Sequence, residues 1–377
     1  MNSPLALALF VGCVFLLVYT YGIYPLLLLL IPRRRKRACE EITDWPGVSI
    51  LMSVFNEEKH IAARIENLLA LDYPPEKLEV LIGSDASTDR TEEIVHRYVG
   101  PRVSLHRVTL RGGKPRVLKH LVPKARYALL AFTDANSFWQ PDALKKLVRH
   151  FQDARVGGVC GRLVFRGDHV ATHEDPYWRL ETFLKSRESD LDSCLGANGA
   201  IYAIRRCLWP QIPDNTFVDD FVIGMQVREQ GFRLLYESDA VATEELPPTV
   251  SHEMTRRIRI GAGDFQALRL CWRSLLPWRG LYVWSFWSHK VLRWLGPFLM
   301  IGAFASNCFL LRSPFFVTTL SLQILFYLMA LAGAVAPRKF VLFSAPRYFV
   351  VINLALLFGF FRYLTGTQPA AWQRTER

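Results

Sequence analysis

Apolar and polar residues are distributed unevenly along the chain, and the pattern divides it into three parts. Residues 4–31 are almost wholly apolar and carry no charge, and a helix of about 20 such residues crosses a bilayer core. Three more apolar segments lie at about 291–311, 314–336 and 341–361. Between about 45 and 270, short β-branched runs alternate with stretches of helical periodicity. The pattern predicts a polar α/β domain between membrane-spanning helices.

The middle part has the alternation of strands and helices that is typical of an open α/β sheet. We expect strands at Val48–Val54, Leu78–Ile82, Val103–Leu110 and Ala128–Phe132, and helices at about 58–71, 89–99 and 113–125. Alternation of this kind implies a mostly parallel sheet with helices on both faces. Ligands of such sheets bind beyond the carboxyl ends of the strands. Functional side chains are therefore expected directly after each strand.

A basic run follows the first apolar segment. Residues 33–37 read Arg-Arg-Arg-Lys-Arg, whereas a signal peptide has its basic residues before the apolar run. The order predicts an uncleaved anchor whose C-terminal end is cytoplasmic, by the positive-inside bias. Nucleic-acid binding is the alternative, but anionic headgroups beside the span explain the run without a nucleic-acid partner. We expect a multi-pass protein of the plasma (inner) membrane with a cytoplasmic domain.

The segment between the α/β domain and the last apolar stretches combines tryptophans with arginines. Such residues suit the lipid headgroup layer, and packing inside a globular core is the alternative. In the last stretch, Pro346 and Arg347 predict a short, kinked or re-entrant helix. The expected organisation is an anchor at 1–32, the α/β domain at 45–270, an interfacial segment at 271–289, membrane helices at 290–363 and a tail at 364–377.

Composition narrows the class of protein further. The 377 residues include 46 Lys and Arg against 34 Asp and Glu, and 13% are aromatic, which excludes a disordered polymer. The seven cysteines form no Cys-x-x-Cys pair, so zinc and thioredoxin-type sites have little support. A reducing compartment is the simplest interpretation for the polar domain. None of the four apolar segments contains an acidic residue, which disfavours a transporter.

Acidic and amide side chains follow the predicted strands. Asn56 and Glu57 come after the first strand, Asp85 after the second, and Asp134 with Asn136 after the strand at 128–132. Carboxylate and amide oxygens suit Mg²⁺ or Mn²⁺. The sequence therefore makes Asp134 and Asn136 candidate metal ligands.

Helix capping and chain turns are the alternatives for several of these polar groups. Asp89 fits an N-cap, because Glu92 stands three residues later. The Gly112-Gly113-Lys114 turn can cradle a phosphate or simply turn the chain, and it lacks the spacing of a P-loop. The pair Asp219-Asp220 can be a solvated helix start, or two like charges that raise the pKa of one of them.

Taken in order, these segments resemble the family 2 glycosyltransferases, in particular the membrane-embedded branch of cellulose, chitin, hyaluronan and poly-N-acetylglucosamine synthases. The resemblance covers about 48–265. Its segments are Asn56-Glu57-Glu58 (first nucleotide-binding segment), Ser84 to Asp89 (D-D-x-S-x-D), Gly113-Lys114 (Gly-Lys), Asp134-Ala135-Asn136 (D-x-D), Gly196 to Ala200 (acceptor side) and Val218-Asp219-Asp220 (T-E-D).

The resemblance implies a GT-A-type, Rossmann-like cytoplasmic domain that uses a nucleotide-diphosphate sugar, most simply a UDP-sugar, and inverts the anomeric centre. Implied partners are a glycan or lipid-linked acceptor and membrane lipids, without nucleic acid. The implied roles are catalytic base for Asp220; donor binding for Asn56, Glu57, Asp85, Lys114, Asp134, Arg256, Arg257 and Arg259; acceptor binding for Asn198, Gly199 and Asp219; and Mg²⁺ or Mn²⁺ binding for Asp134 and Asn136.

The sequence departs from the family pattern at two places. Asn136 replaces the second acid of D-x-D. The Q-x-x-R-W motif of processive synthases aligns with residues 256–260, where Gln becomes Arg256 and Trp becomes Ile260. Because that Trp stacks on the growing sugar chain, its loss leaves single-sugar transfer open beside polymerisation. A polyprenyl-phosphate monoglycosyltransferase and a non-catalytic membrane scaffold are the alternatives.

Overall fold

The structure, a computed structural model, describes residues 3–33, 42–166, 176–245, 250–334 and 341–369. These residues form two compact units. The sheet unit comprises Ile31–Val250 and Arg269–Val283, and the helical unit comprises the chain up to Leu30, Ser251–Leu268 and Trp284–Gln368. The basic residues 34–37 and the linker 337–339 lie outside the described residues.

An eight-stranded sheet forms the centre of the sheet unit, in the order β3-β2-β1-β4-β7-β6-β8-β5 within the described residues. The strands are β1 (Val48–Val54), β2 (Leu78–Asp85), β3 (Val103–Val108), β4 (Leu129–Asp134), β5 (Phe138–Trp139), β6 (Val156–Arg166), β7 (Tyr202–Arg205) and β8 (Arg233–Glu245). β1 to β4 run parallel, β6 is parallel to β8, and β7 is antiparallel to both β4 and β6. The sheet is thus mixed. Its parallel strands β1 to β4 are the ones between which the sequence pattern predicts helices.

Helices pack on this sheet. They are α1 (Ile61–Leu69), α2 (Thr91–His96), α3 (Lys114–Leu121), α4 (Ala143–Val148), α5 (Pro176–Leu191) and α6 (Asp219–Glu229). β1 is buried along nearly its whole length, as expected for a strand inside a parallel sheet. Burying each large apolar side chain contributes about 1.5–3 kcal/mol, so the sheet is a firm support for the loops that follow its strands.

Helix α3 lies close to β2 because residue 83 has no side chain. A Cβ at Gly83 would stand 2.2 Å from Cγ1 of Val117 and 3.1 Å from Cδ1 of Leu121. Both contacts are shorter than van der Waals packing allows, so only glycine permits this approach. The close packing fixes the position of Lys114, the first residue of α3.

The helical unit contains three described helices that are long and apolar enough to cross a membrane, Pro4–Leu30, Pro314–Ala332 and Leu342–Leu364. Pro346 lies near the start of the last one, and the helix continues through it. The segment expected at 291–311 is not straight, because Leu281–Trp294 and Gly296–Cys308 meet at a bend of 62°. Pro297 at the start of the second helix lacks the N–H that a continuous helix would need.

The tryptophan-rich segment 271–289 begins with two short 3₁₀ turns, Trp272–Leu275 and Pro277–Arg279. Trp272 and Trp278 are 55% and 76% exposed. Exposed tryptophans beside arginines are compatible with a headgroup layer, and the interfacial role of this segment stays a prediction.

Candidate active site

The loops after β1 and β2 are locked together by polar contacts. Asn56 and Ala86 both adopt the left-handed conformation, with φ of 54° and 58°, and such strained residues cluster at functional sites. The Asn56 side chain donates to Thr88 Oγ1 at 3.1 Å and accepts the Thr88 N–H at 2.8 Å. Glu57 is buried beside this contact. Asp89 serves the start of α2, because it accepts the Thr91 N–H at 2.9 Å, although the N-cap itself is Arg90.

Asp85 holds the glycine turn that precedes Lys114. Its two carboxylate oxygens accept the N–H groups of Gly112 and Gly113, each at 2.8 Å, and the residue is only 4% exposed. Gly113 has a φ of 85°, which a residue with a side chain rarely adopts. The geometry gives Asp85 a part in shaping this turn, and its contact with the nucleoside stays a prediction.

Lys114 lies between two acids that come from different elements. Its ammonium donates to Asp134 Oδ1 at 2.6 Å and is 3.8 Å from Asp219 Oδ2. Burial alone would lower the pKa of Lys114, but Asp134, Asp219 and Asp220 together raise it well above its usual range. The lysine is therefore charged at neutral pH, with β4 and α6 supplying its counter-charges.

Gly199 marks the point where these charged groups meet. Its N–H donates to Asp220 Oδ2 at 2.5 Å. A Cβ at this position would lie 3.1 Å from Asp220 Oδ2, 3.2 Å from Asp134 Oδ2 and 3.2 Å from Lys114 Nζ. The acceptor-side segment, the D-x-D segment and the T-E-D segment of the sequence are thus adjacent in the fold. Of the acids expected to converge, Asp134 and Asp220 meet at this cluster, whereas Asp85 contacts the glycine turn before Lys114.

The two neighbouring acids at the start of α6 have different environments. Asp219 is buried, and no described residue donates a hydrogen bond to its Oδ2. Burial, with repulsion from Asp220 and Asp134, raises the pKa of Asp219, while Lys114 opposes the shift. Asp220 is only half-buried. Asp220 is therefore the member of the pair that a substrate hydroxyl can reach more easily.

The donor set at the end of β4 fits a hard divalent cation that is bound jointly with phosphate. Asp134 is 36% exposed at its side chain, and Asn136 is half-buried two residues later. No group of three or more His, Cys, Asp and Glu residues suited to a metal ion exists in the described ranges. Mg²⁺ is usually held by one or two carboxylates plus substrate phosphates, without an all-protein cage. Asp134 and Asn136 supply that minimal set.

Asn198 is engaged within the protein through both ends of its amide. Its Oδ1 accepts from the ammonium of Lys185, and its Nδ2 donates to the Gly161 carbonyl at 2.9 Å. Its backbone N–H reaches Cys160 Sγ at 3.1 Å. These contacts hold the turn that carries Gly199, and the acceptor contact expected for Asn198 stays a prediction.

Lys185 is the residue of this region that sequence reasoning missed. It is 9% exposed and belongs to α5. No local pattern distinguishes it, because a lysine within a long polar helix is ordinarily a solvated side chain. Its burial against Asn198 shows only when the fold brings α5 beneath the acceptor-side turn.

The three arginines expected to bind the donor lie on the helix Val250–Leu270. The part of this helix that carries them, Ser251–Leu268, belongs to the helical unit. Arg257 pairs with Glu253 at 2.8 Å and stacks on Tyr348, with 5.1 Å to the ring centroid. Arg256 is 3.6 Å from the same glutamate. Donor binding by Arg256, Arg257 and Arg259 stays a prediction.

Two family models match the chain. Glycosyl transferase family 2 matches residues 49–206, and Glycosyl transferase family group 2 matches residues 129–361. The second match covers more than half of the chain, which therefore belongs to the family 2 glycosyltransferases. The resemblance drawn from the motifs is confirmed at the level of the family.

The chain is also similar to particular curated proteins. It is 23% identical over 275 residues to the poly-beta-1,6-N-acetyl-D-glucosamine synthase of Staphylococcus aureus (strain COL), covering 68% of this chain and 66% of that protein. It is 33% identical over 137 residues to the beta-monoglucosyldiacylglycerol synthase of Nostoc sp. (strain PCC 7120), covering 35% of this chain and 28% of that protein. The chain thus spans slightly under two thirds of the length of its synthase relative.

A solved structure shares the fold. It is a mannosyltransferase from Pyrobaculum calidifontis in complex with GDP-Man and Mn²⁺, 22% identical, with a TM-score of 0.73. The comparison covers 94% of this chain and 99% of that one. The likeness confirms the expected GT-A-type α/β fold.

Proposed function

We propose that the protein is an inverting glycosyltransferase that moves a sugar from a nucleoside-diphosphate donor to a glycan or lipid-linked acceptor at the cytoplasmic face of the membrane. The observation that carries the proposal is the convergence of Lys114, Asp134 and Asp220 around Gly199. Relatives that are named as synthases support the reaction class. A UDP-sugar remains the expected donor, and the GDP-Man in the solved neighbour makes a GDP-sugar the alternative.

Donor binding takes place at the carboxyl edge of the sheet in this proposal. Asn56, Glu57 and Asp85 shape the loops that receive the nucleoside, while Asp134 and Asn136 would hold Mg²⁺ or Mn²⁺. When bound, that ion offsets the charge that develops on the diphosphate leaving group. The ammonium of Lys114, whose side chain is only 14% exposed, adds a positive charge beside the same group.

Asp220 acts as the general base. Its Oδ2 accepts the Gly199 N–H and its Oδ1 accepts the Phe221 N–H at 2.8 Å. These bonds fix the orientation of the carboxylate, while its partial exposure leaves it open to an acceptor hydroxyl. The carboxylate takes the proton as the hydroxyl oxygen attacks the anomeric carbon. A single displacement of this kind converts an α-linked donor into a β-linked product.

The proposed acceptor is associated with the membrane. Three described helices have the length and apolar composition of membrane spans, and Trp278 is exposed in the tryptophan-rich segment. Ile260 in place of the stacking Trp favours transfer of a single sugar, and the likeness to a glycolipid synthase agrees with a lipid acceptor. A polymerising enzyme is the second candidate, because the poly-N-acetylglucosamine synthase matches over a longer part of the chain.

The test is a transfer assay on purified protein in lipid nanodiscs. UDP- and GDP-linked sugars are supplied with Mg²⁺ or Mn²⁺ and a lipid extract, and both nucleoside diphosphate release and product size are measured. We expect metal-dependent release with one donor class and a product that carries one sugar. Long products would identify the polymerising enzyme. No release with any donor and acceptor would contradict the proposal and favour the non-catalytic scaffold.

Lys185 provides a prediction for a positioning residue. Lys185→Met leaves Asn198 Oδ1 without its donor, and a buried polar group without a partner costs about 1–3 kcal/mol. The turn that carries Gly199 then loses its support, so kcat should fall about tenfold with little change in the donor KM. Lys185→Arg should restore part of the rate because it keeps a donor.

The matched control for Lys185 is Lys146→Met. Lys146 forms an ion pair with Asp142 within one helical stretch, where such pairs contribute little. This variant should keep the kcat of the parent protein. If Lys185→Met and Lys185→Arg both behave like Lys146→Met, Lys185 does not position the turn.

A further inference from the structure

We infer that Lys114 and the divalent cation compete for the carboxylate of Asp134, so that Lys114 must leave Asp134 before the cation binds there. The inference rests on the proposed function, since it assigns the cation to Asp134. It adds a role for the lysine before the donor arrives. In this role Lys114 is a positioning residue that sets how strongly the protein binds the metal.

Lys114 and Asp134 are in direct contact. The ammonium donates to Asp134 Oδ1 at 2.6 Å, and its side chain is only 14% exposed. Mg²⁺ and Mn²⁺ need direct carboxylate oxygens as ligands. A doubly charged ion on this carboxylate would stand within a few ångströms of the ammonium, and like charges at that separation repel strongly where little water screens them.

A second counter-charge for the ammonium of Lys114 lies nearby. Asp219 Oδ2 lies 3.8 Å from Lys114 Nζ, it is buried, and no described residue donates a hydrogen bond to it. A shift of about an ångström brings the ammonium into hydrogen-bonding distance of that oxygen. The four-carbon stem of lysine allows such a shift without a change in the backbone. Lys114 can therefore move from Asp134 to Asp219 and stay paired.

The proposed metal site contains a single carboxylate. Asn136 stands where the family has a second acid, so Asp134 provides the full negative charge of the D-x-D segment. With one carboxylate, an ammonium that neutralises it removes most of the attraction for a cation. Competition by Lys114 should thus weaken metal binding more here than at a site with two acids.

The test is direct Mn²⁺ binding without donor or acceptor, measured by the loss of the electron paramagnetic resonance signal of free Mn²⁺. We expect Lys114→Met to bind Mn²⁺ at least tenfold more tightly than the parent protein. Lys119→Met is the matched control, because Lys119 lies on the same helix as Lys114 and pairs with Asp214, away from the cluster. It should change the affinity less than twofold. The double variant Lys114→Met with Asp134→Asn should lose the gain.

Several outcomes overturn the inference. Lys114→Gln is measured beside Lys114→Met, and thermal unfolding is recorded for both to establish that each variant is folded. Equal or weaker Mn²⁺ binding in the folded variant contradicts competition, as does the absence of Mn²⁺ binding in every variant. The result is independent of the transfer assay: tighter binding without sugar transfer by the parent protein would support the competition and remove the proposed function.

Discussion

Replacing Asp220 with Asn is expected to lower the rate of sugar transfer about 10³-fold, because a positioned general base contributes about 10²- to 10⁴-fold. The amide has nearly the same shape as the carboxylate, and its oxygen can still accept the Gly199 N–H. It cannot take a proton from the acceptor. Single-turnover transfer and calorimetric binding of the nucleoside diphosphate separate the chemical step from donor binding.

The control for this prediction is Asp214→Asn, which removes an exposed acid that pairs only with Lys119 among the described contacts. Its transfer rate should match that of the parent. Donor affinity should stay within about threefold in Asp220→Asn, since the charge of Asp134 and the ammonium of Lys114 remain. Transfer at the parental rate by Asp220→Asn would remove Asp220 from the role of base.

Replacing Gly199 with Ala is expected to lower kcat about 30- to 100-fold while the protein stays folded. The added methyl group would lie 3.1 Å from Asp220 and 3.2 Å from both Asp134 and Lys114. These contacts are tighter than ordinary packing, so the three charged side chains must shift by a few tenths of an ångström. Misplacement of reacting groups on this scale is costly, because catalysis depends on their alignment.

The matched control is Gly100→Ala. The nearest atom to a Cβ at Gly100 is the Tyr98 carbonyl oxygen at 4.0 Å, and neither Gly100 nor Gly199 has a φ in the left-handed range. Both alanines should therefore leave thermal unfolding almost unchanged, and only Gly199→Ala should lose activity. Full activity in Gly199→Ala would mean that the reaction takes place away from this cluster.

The sequence predicted the strands and helices that are determined by the residues of the segment itself. β1 forms at Val48–Val54 as expected, and β2 extends to Asp85, three residues beyond the predicted end. Asp134 is the last residue of β4, two residues beyond the predicted end of that strand, and it therefore lies at the carboxyl edge of the sheet. Asp219 and Asp220, to which the family resemblance gives roles, lie close to the end of β4, although nothing in their local sequence connects them to that strand.

The rest depended on tertiary contacts that a linear pattern does not contain. The sheet is mixed because β7 runs antiparallel to β4. The sequence pattern does not indicate the direction of this strand. Asp85 accepts hydrogen bonds from the amides of a turn that follows a different strand, which the sequence did not indicate, and its contact with the nucleoside stays a prediction. Lys185 was missed because its burial depends on Asn198.

Gly83 lies inside β2, yet it determines how far α3 stands from the sheet and hence where the ammonium of Lys114 is held. If a cation binds at Asp134 as proposed, a larger residue at position 83 would alter its affinity from the interior of the sheet, without any change to a proposed ion ligand.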